Sequence, residues 1–188
     1  MVKYEHKNKT SKPKAKRWKA LSREVVYEKY GRKIEKVIFR LPSGKHSDFY
    51  LKAEKDAVCI LALTKEKDVI LVKQYRPGPD KVLMELPGGA AEANETPTKA
   101  AERELLEETG YRGKIRLVTR VFDCAYSTID RYCFVATDCE KVKRQELDKA
   151  EFVEVTRISL KAFRKLLKSG KMTDVEVGYL GLDYLGLL

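Results

Sequence analysis

The chain has 188 residues, 43% of them hydrophobic and 36% charged, and a net charge of +11. That is the balance of one globular domain with a small N-terminal extension, long enough for a substantial core. No run of 18 apolar residues occurs, which excludes a membrane-spanning helix, and the start, Met1-Val2-Lys3-Tyr4-Glu5-His6, lacks the apolar stretch of a secretory signal.

The charge is uneven. Residues 1–20 hold eight lysines and arginines against Glu5 alone, so seven of the eleven net charges lie there. The stretch from Lys7 to Lys16 has almost no apolar content and reads as a mobile tail. It could grip nucleic acid by neutralising phosphates, but a solubilising leader that mildly attracts anionic substrates is the simpler reading and is preferred. Trp18 then anchors the tail to the domain. Five strands follow, over 22–30, 34–41, 47–53, 57–63 and 69–75, separated by Tyr30-Gly31, Pro42-Ser43-Gly44 and Lys65-Glu66-Lys67-Asp68. The first two alternate and suit a hairpin; the last two, with Val58-Cys59-Ile60-Leu61 and Val69-Ile70-Leu71-Val72, read as interior strands.

Between Gly89 and Tyr111 the chain carries Gly89-x5-Glu95-x7-Arg103-Glu104-Leu105-x-Glu107-Glu108-x-Gly110-Tyr111. With each fixed residue type near one in fifteen by average usage, a chance match is on the order of one in a hundred million. Thr96 suits an N-cap, Pro97 the first helical position and Gly110 the end of the helix. Glu104, Glu107 and Glu108, at i, i+3 and i+4, then crowd one helical face and repel one another. A hard divalent cation relieves that repulsion, since magnesium takes oxygen ligands and completes its shell with waters and substrate phosphates. Leu105 and Leu106 point away, toward a core. Gly89 follows Leu86-Pro87-Gly88, a segment that must bend and let backbone approach a ligand. Asn94 suits a left-handed backbone, and Arg103 and Glu95 are expected to form an ion pair that orients the carboxylates without touching phosphate.

After this segment come strands over 115–124 and 131–137, joined by residues 125–130, then a polar loop over 138–149 and a strand over 151–158. Ser159 caps a helix over 160–169 that Gly170 ends. Thr173-x-x-Glu176 has the capping-box pattern for a last helix. Cys59, Cys124, Cys133 and Cys139 form no C-x-x-C pair and read as reduced, partly buried thiols of a cytoplasmic protein. His6 and His46 stand outside any motif. No internal repeat is visible. Mixed strands with helices on their faces give an α+β chain built as an α/β/α sandwich with a mixed central sheet and an N-terminal antiparallel strand extension.

The Gly89–Tyr111 segment resembles the Nudix box in full. The similarity extends beyond it: Gln74-Tyr75-Arg76-Pro77, Leu83-Met84-Glu85-Leu86-Pro87-Gly88-Gly89 and Ser169-Gly170-Lys171-Met172-Thr173-Asp174 resemble elements of the ADP-ribose and nucleotide-sugar pyrophosphatases. The resemblance implies the Nudix fold and metal-dependent hydrolysis of a nucleoside diphosphate linked to another group. It implies metal ligation by Glu104, Glu107, Glu108 and the carbonyl of Gly88, with magnesium preferred and manganese as the alternative. Arg103 joins these glutamates in the catalytic set. Arg76 matches an arginine that meets the diphosphate or terminal sugar, and Glu85 a residue near that sugar; otherwise Arg76 is a surface charge and Glu85 a partner for a neighbouring lysine. The segment Glu151-Phe152-Val153-Glu154-Val155 resembles one whose glutamate activates water, which selects Glu151, with Glu146 as second choice. Replacement of alanine by Gly88 reads as a minor variation.

One departure concerns specificity. Enzymes most specific for ADP-ribose carry a proline about sixteen residues past the box, near Tyr126, and this chain has none after Pro97. Other nucleoside diphosphate sugars therefore become comparable substrates. The chain is divided into a basic tail (1–20), a strand extension (21–56) and a Nudix hydrolase domain (57–188). Its expected partners are a small nucleoside diphosphate derivative and, as in relatives, a second copy in a homodimer. The rival readings are a Nudix-fold nucleotide- or RNA-binding module using the tail, a Nudix hydrolase of another nucleoside diphosphate derivative, and a diphosphate-alcohol isomerase. The clustered glutamates argue against the binder, and the missing cysteine and histidine set against the isomerase.

Overall fold

The structure, a computed structural model, describes residues 15–147 and 152–188. Alternation along one strand divides its core. In β4 (Ala57–Thr64), Val58, Ile60 and Ala62 face one side of the sheet while Cys59, Leu61 and Leu63 face the other. The first side packs against α1 (Pro97–Thr109) through Ala100, Ala101 and Leu105. The second is covered by α2 (Leu160–Ser169) and α3 (Val175–Tyr184) through Phe163, Leu167, Val177 and Leu182. This is the expected α/β/α sandwich.

The central sheet runs β10 (Glu154–Ile158), β5 (Val69–Arg76), β4, β9 (Asp130–Lys141), β8 (Tyr111–Phe122). The β4–β9 pair is parallel and the other pairs are antiparallel, so the sheet is mixed. The two interior strands anticipated at 57–63 and 69–75 are β4 and β5, yet they pair only at Ala62–Ile70 and Leu63–Val69. Beyond that they diverge. Two short strands fill the fork: β6 (Lys81–Glu85) on β5, and β7 (Gly88–Ala90) on β4. The turn between them carries Glu85 to Gly88 into the fork, where the Gly88 N–H meets Glu108 in the last turn of α1.

A separate antiparallel sheet, β1 (Lys19–Lys29), β2 (Arg32–Arg40) and β3 (His46–Lys52), precedes this domain. Its aromatic side chains pack in sequence. Trp18 lies on Phe39 and Phe49 with centroids 6.0 and 5.3 Å apart, and Phe49 stacks on Tyr126 at 6.3 Å. Backbone bonds from Lys52 N–H to the Tyr126 carbonyl and from Thr128 N–H to the Lys52 carbonyl, both 2.9 Å, fasten β3 to the loop after β8. Trp18 thus anchors the segment that precedes β1. The tail expected over 1–20 lies outside the described residues up to Lys14, and Lys19 and Ala20 already belong to β1.

Several expected boundaries move. β6 and β7 were legible as neither strands nor helices, because five and three residues around a Pro-Gly-Gly turn carry no period. β8 starts at Tyr111, four residues early, since the buried Tyr111 continues directly from the helix cap. β9 takes in the expected loop as far as Lys141, with a bulge next to Asp138, which has φ 54°. The capping box at Thr173 does not form. Asp174 occupies the cap position with φ 55° and makes no side-chain cap bond, while the Thr173 hydroxyl turns elsewhere. Cys59, Cys133 and Cys139 are buried and Cys124 is exposed, all as free thiols; burial holds Cys133 at about 11 and Cys139 at about 12.

Leu61 is fully enclosed between the sheet and α3, whereas Leu117 on β8 is 49% exposed. Leu61→Ala is expected to cost about 2–5 kcal/mol of unfolding free energy, and Leu117→Ala under about 1 kcal/mol. Denaturant midpoints of the two variants measure this, and equal losses would contradict the core described here.

Candidate active site

The site begins where β7 leaves the fork. Asn94 takes φ 65°, turning the loop into α1. The Thr96 hydroxyl accepts from Lys99 N–H at 3.3 Å and Pro97 occupies the first turn, so the helix starts where its sequence asks. Gly110 ends it at φ 73°, its N–H bonded to the Leu106 carbonyl at 2.8 Å.

The three helical carboxylates have different surroundings. Glu108 is buried, and its Oε2 accepts the Gly88 N–H at 2.8 Å. Glu104 lies against Gly89, where a Cβ would stand 2.5 Å from its Oε1. Glu107 is the most open of them, with 40% of its side chain exposed. One guanidinium organises the group. Arg103 Nη1 donates to Glu104 Oε1 at 2.9 Å and to Glu107 Oε2 at 3.1 Å. Its Nε and Nη2 donate to the two oxygens of Glu95, both at 3.0 Å, and Nη2 also reaches the Ala90 carbonyl at 3.1 Å. All five N–H donors of Arg103 are thereby used within the protein, as expected of a residue that orients carboxylates. Glu95, then Glu107 and Glu104, raises the Arg103 pKa, and Arg103 lowers that of Glu95.

Arg76 ends β5 and Glu85 ends β6; Glu85 pairs with Val72 and Arg76 with Lys81, so the Arg76 side chain reaches back along the ladder to Glu85. Glu85 is 1% exposed, and its Oε2 accepts from Arg76 Nε at 2.8 Å, Arg76 Nη2 at 2.7 Å and Gln74 Nε2 at 3.0 Å. The buried carboxylate is thus held by an arginine, and no lysine pairs with it among the described residues. Burial works against the Arg76 charge, but Glu85 outweighs it and the pKa is raised, with Glu108 and Asp174 adding to the field. Two further participants were not read from the sequence: Gln74, which appeared only as part of a motif, and Thr173, whose Oγ1 donates to Glu85 Oε1 at 2.9 Å.

The segment after β9 folds over the C-terminal end of α1. Val142 N–H donates to the Gly110 carbonyl at 2.9 Å, and Glu146 N–H to the Glu107 carbonyl at 2.9 Å. Gln145 Nε2 bridges the carbonyls of Glu108 and Val153 at 2.6 and 3.1 Å. Glu146 therefore has its backbone beside the glutamate cluster, and its exposed carboxylate pairs with Lys143. Glu151 lies outside the described residues.

The donor set fits a hard divalent cation by its chemistry: three carboxylates on one helical face beside the Gly88 backbone. Among the described residues no group of three or more His, Cys, Asp or Glu side chains stands as a ready-made cation site; Glu104 and Glu107 are held by Arg103 and Glu108 by Gly88. Gly88 is also more constrained than a minor variation. A Cβ there would run into the Val58 carbonyl oxygen and stand 2.9 Å from Cys59 Cα, backbone atoms that cannot step aside. Gly89 differs, because its obstacle is the movable end of Glu104. Gly89→Ala is expected to keep the thermal midpoint within a few degrees yet lower kcat/KM about 10- to 100-fold by displacing Glu104. Steady-state kinetics beside a melting curve measure this, and wild-type activity would contradict it.

Comparison with known proteins places this geometry. Residues 53–177 match the NUDIX domain family. The ADP-ribose pyrophosphatase of Bacillus subtilis (strain 168) is 33% identical over 174 residues, covering 90% of this chain and 92% of that protein. The ADP-sugar pyrophosphatase of Mus musculus is 37% identical over 105 residues, 50% of this chain and 48% of that one. The crystal structure of an ADP compounds hydrolase shares the fold, with a TM-score of 0.76 at 19% identity over 94% of this chain and all of that one. With the box on its loop and helix, and a domain match covering most of its length, the chain belongs to the Nudix family.

Proposed function

We propose that this protein hydrolyses the diphosphate of ADP-ribose or other nucleoside diphosphate sugars, giving a nucleoside monophosphate and a sugar phosphate. The observation that carries the reading is the juxtaposition of the complete glutamate helix with the Arg76–Glu85 pair at the fork between β4 and β5. Likeness to an ADP-ribose pyrophosphatase over nearly the whole chain, and to an ADP-sugar pyrophosphatase over half of it, supports the substrate class.

Each residue has a physical task in this reading. Arg76, 44% exposed at its side chain and fixed from behind by Glu85, offers its outer N–H groups to diphosphate oxygens. Glu104, Glu107, Glu108 and the Gly88 carbonyl would hold magnesium, or manganese, which supplies charge for the diphosphate and acidifies a water when bound. Arg103 keeps two of those carboxylates in place. Glu151 would accept the proton of the attacking water, with Glu146 as second choice because its backbone is tied to Glu107.

The surroundings extend the reading. Leu21, Val25, Val26 and Tyr27 leave an apolar face exposed on β1, which supports a homodimer formed through the N-terminal sheet. Among the described residues no helix is long and apolar enough to cross a membrane, and the buried free thiols suit the reducing cytoplasm. In this reading the segment Tyr126 to Asp130 would form a wall on the sugar side; Tyr126 has no proline beside it and stacks on Phe49.

Arg76 and the box address the diphosphate, which all candidate substrates share. Selection among sugars then falls to loop contacts that each contribute about 1–3 kcal/mol. Incubation with magnesium and either ADP-ribose or an ADP-hexose, with products separated by chromatography, is expected to show hydrolysis of both. A preference for ADP-ribose beyond about ten-thousand-fold in kcat/KM would contradict the loop argument, and cleavage of neither would contradict the substrate class.

A further inference from the structure

Thr173 and Asp174 stand at the entry to α3, in a sequence whose cap pattern the structure leaves unused. Asp174 adopts φ 55° and ψ 32°, a left-handed conformation that costs a non-glycine residue free energy, yet its side chain caps nothing. Thr173 turns toward the fork, and Asp174 toward Arg131 at the start of β9. Thr173 Oγ1 lies 2.9 Å from Glu85 Oε1 and 2.9 Å from Asp174 Oδ2. Asp174 Oδ1 accepts from Arg131 Nη1 at 2.7 Å, and Arg131 Nη2 donates to Asp123 Oδ1 at 2.9 Å. Asp123 in turn receives Lys52 Nζ from the end of β3 at 3.2 Å.

A hydroxyl has one proton, so Thr173 can donate to only one of its two carboxyl neighbours. Asp174 already has Arg131. Glu85 is buried, and among the described residues its Oε1 is reached only by Thr173, while Oε2 takes both Arg76 bonds and that of Gln74. The proton therefore belongs to Glu85. Burial raises the Asp174 carboxyl from its ordinary value against the pull of Arg131 and of the Thr173 hydroxyl.

We propose that Thr173 and Asp174 are positioning residues for substrate binding: the Thr173 hydroxyl fixes the orientation of Glu85, Glu85 aims Arg76 at the substrate diphosphate, and Asp174 ties this pair through Arg131 and Asp123 to the N-terminal sheet. The inference rests on the reading above in which Arg76 meets the diphosphate. It gives a physical use to the strained backbone at Asp174: instead of capping a helix, Thr173 meets the buried Glu85 carboxylate and Asp174 meets Thr173 and Arg131. Without Thr173, one oxygen of Glu85 is left buried without a donor, and the carboxylate is free to rotate with Arg76 attached.

The test is the kinetics of Thr173→Val and Thr173→Ser on ADP-ribose with magnesium, alongside Arg76→Lys. Valine keeps the branched shape and removes the hydroxyl; serine keeps the hydroxyl. The expected result is a KM raised about 5- to 100-fold in the valine variant, kcat within a few-fold of wild type, and near-wild-type values in the serine variant. A general packing defect would lower the melting temperature and would not be rescued by serine. If Arg76→Lys raises KM while Thr173→Val leaves it unchanged, or if serine fails like valine, the positioning role is overturned and the Arg76 assignment stands. If Arg76→Lys leaves KM unchanged, the Arg76 assignment fails and the proposal fails with it. Should the valine variant not fold, Thr173→Ala in the same assay decides between the same outcomes.

Discussion

Three glutamates on one helical face repel one another, and the site depends on how that repulsion is held in check. Like charges at i, i+3 and i+4 weaken a helix, and here Arg103 answers them. Its guanidinium lies between Glu104 and Glu107 and spends its other donors on Glu95 and the Ala90 carbonyl. One side chain thus offsets part of the charge on the helix face, pins the loop that enters it, and fixes where two carboxylates stand. A lysine could not substitute, because a compact ammonium has no planar fork with which to meet these acceptors together. Glu108 is held independently by the Gly88 N–H, which couples the helix to the strand end opposite it.

The second constraint is topological. β4 and β5 begin as a hairpin and separate after two residue pairs, and the divided edges are completed by β7 and β6. A turn set in that fork brings Glu85 and Gly88, three residues apart, to the two groups with which they act: Arg76 at the end of β5, and Glu108 on α1. The charged pair and the glutamate helix therefore belong to one rigid arrangement of sheet and helix. Arg76 lies within the electrostatic reach of Glu108 and Asp174.

Much of this was legible in the sequence because it depends on local rules. Thr96, Pro97 and Gly110 mark the ends of α1 by cap chemistry, and the dense apolar runs at 58–61 and 69–72 mark the central strands. Asn94 follows from the tolerance of asparagine for a left-handed backbone, and the Arg103–Glu95 pair is expected from the box. What was not legible depends on contacts distant in sequence. Thr173 reads as a helix cap until Glu85, 88 residues away, is seen to accept its hydroxyl. Gln145 carries no periodic signal, yet it spans two carbonyls across the segment over α1. β6 and β7 are too short to show a period and exist because β4 and β5 leave edges to be paired. Gly88 looks interchangeable with alanine in a motif, and only the proximity of Val58 shows that a Cβ there would force backbone to shift.

The glutamate face held by Arg103 and Gly88 is proposed as a cation site. Titration of the protein with manganese, followed by the electron paramagnetic resonance signal of the free ion, measures it without reference to any substrate. Wild-type protein is expected to remove manganese from solution saturably, with magnesium competing, and Glu108→Gln to bind it at least about tenfold more weakly, since the amide keeps the shape of the side chain and loses its charge. Equal binding by the two proteins, each folded by circular dichroism, would contradict the account.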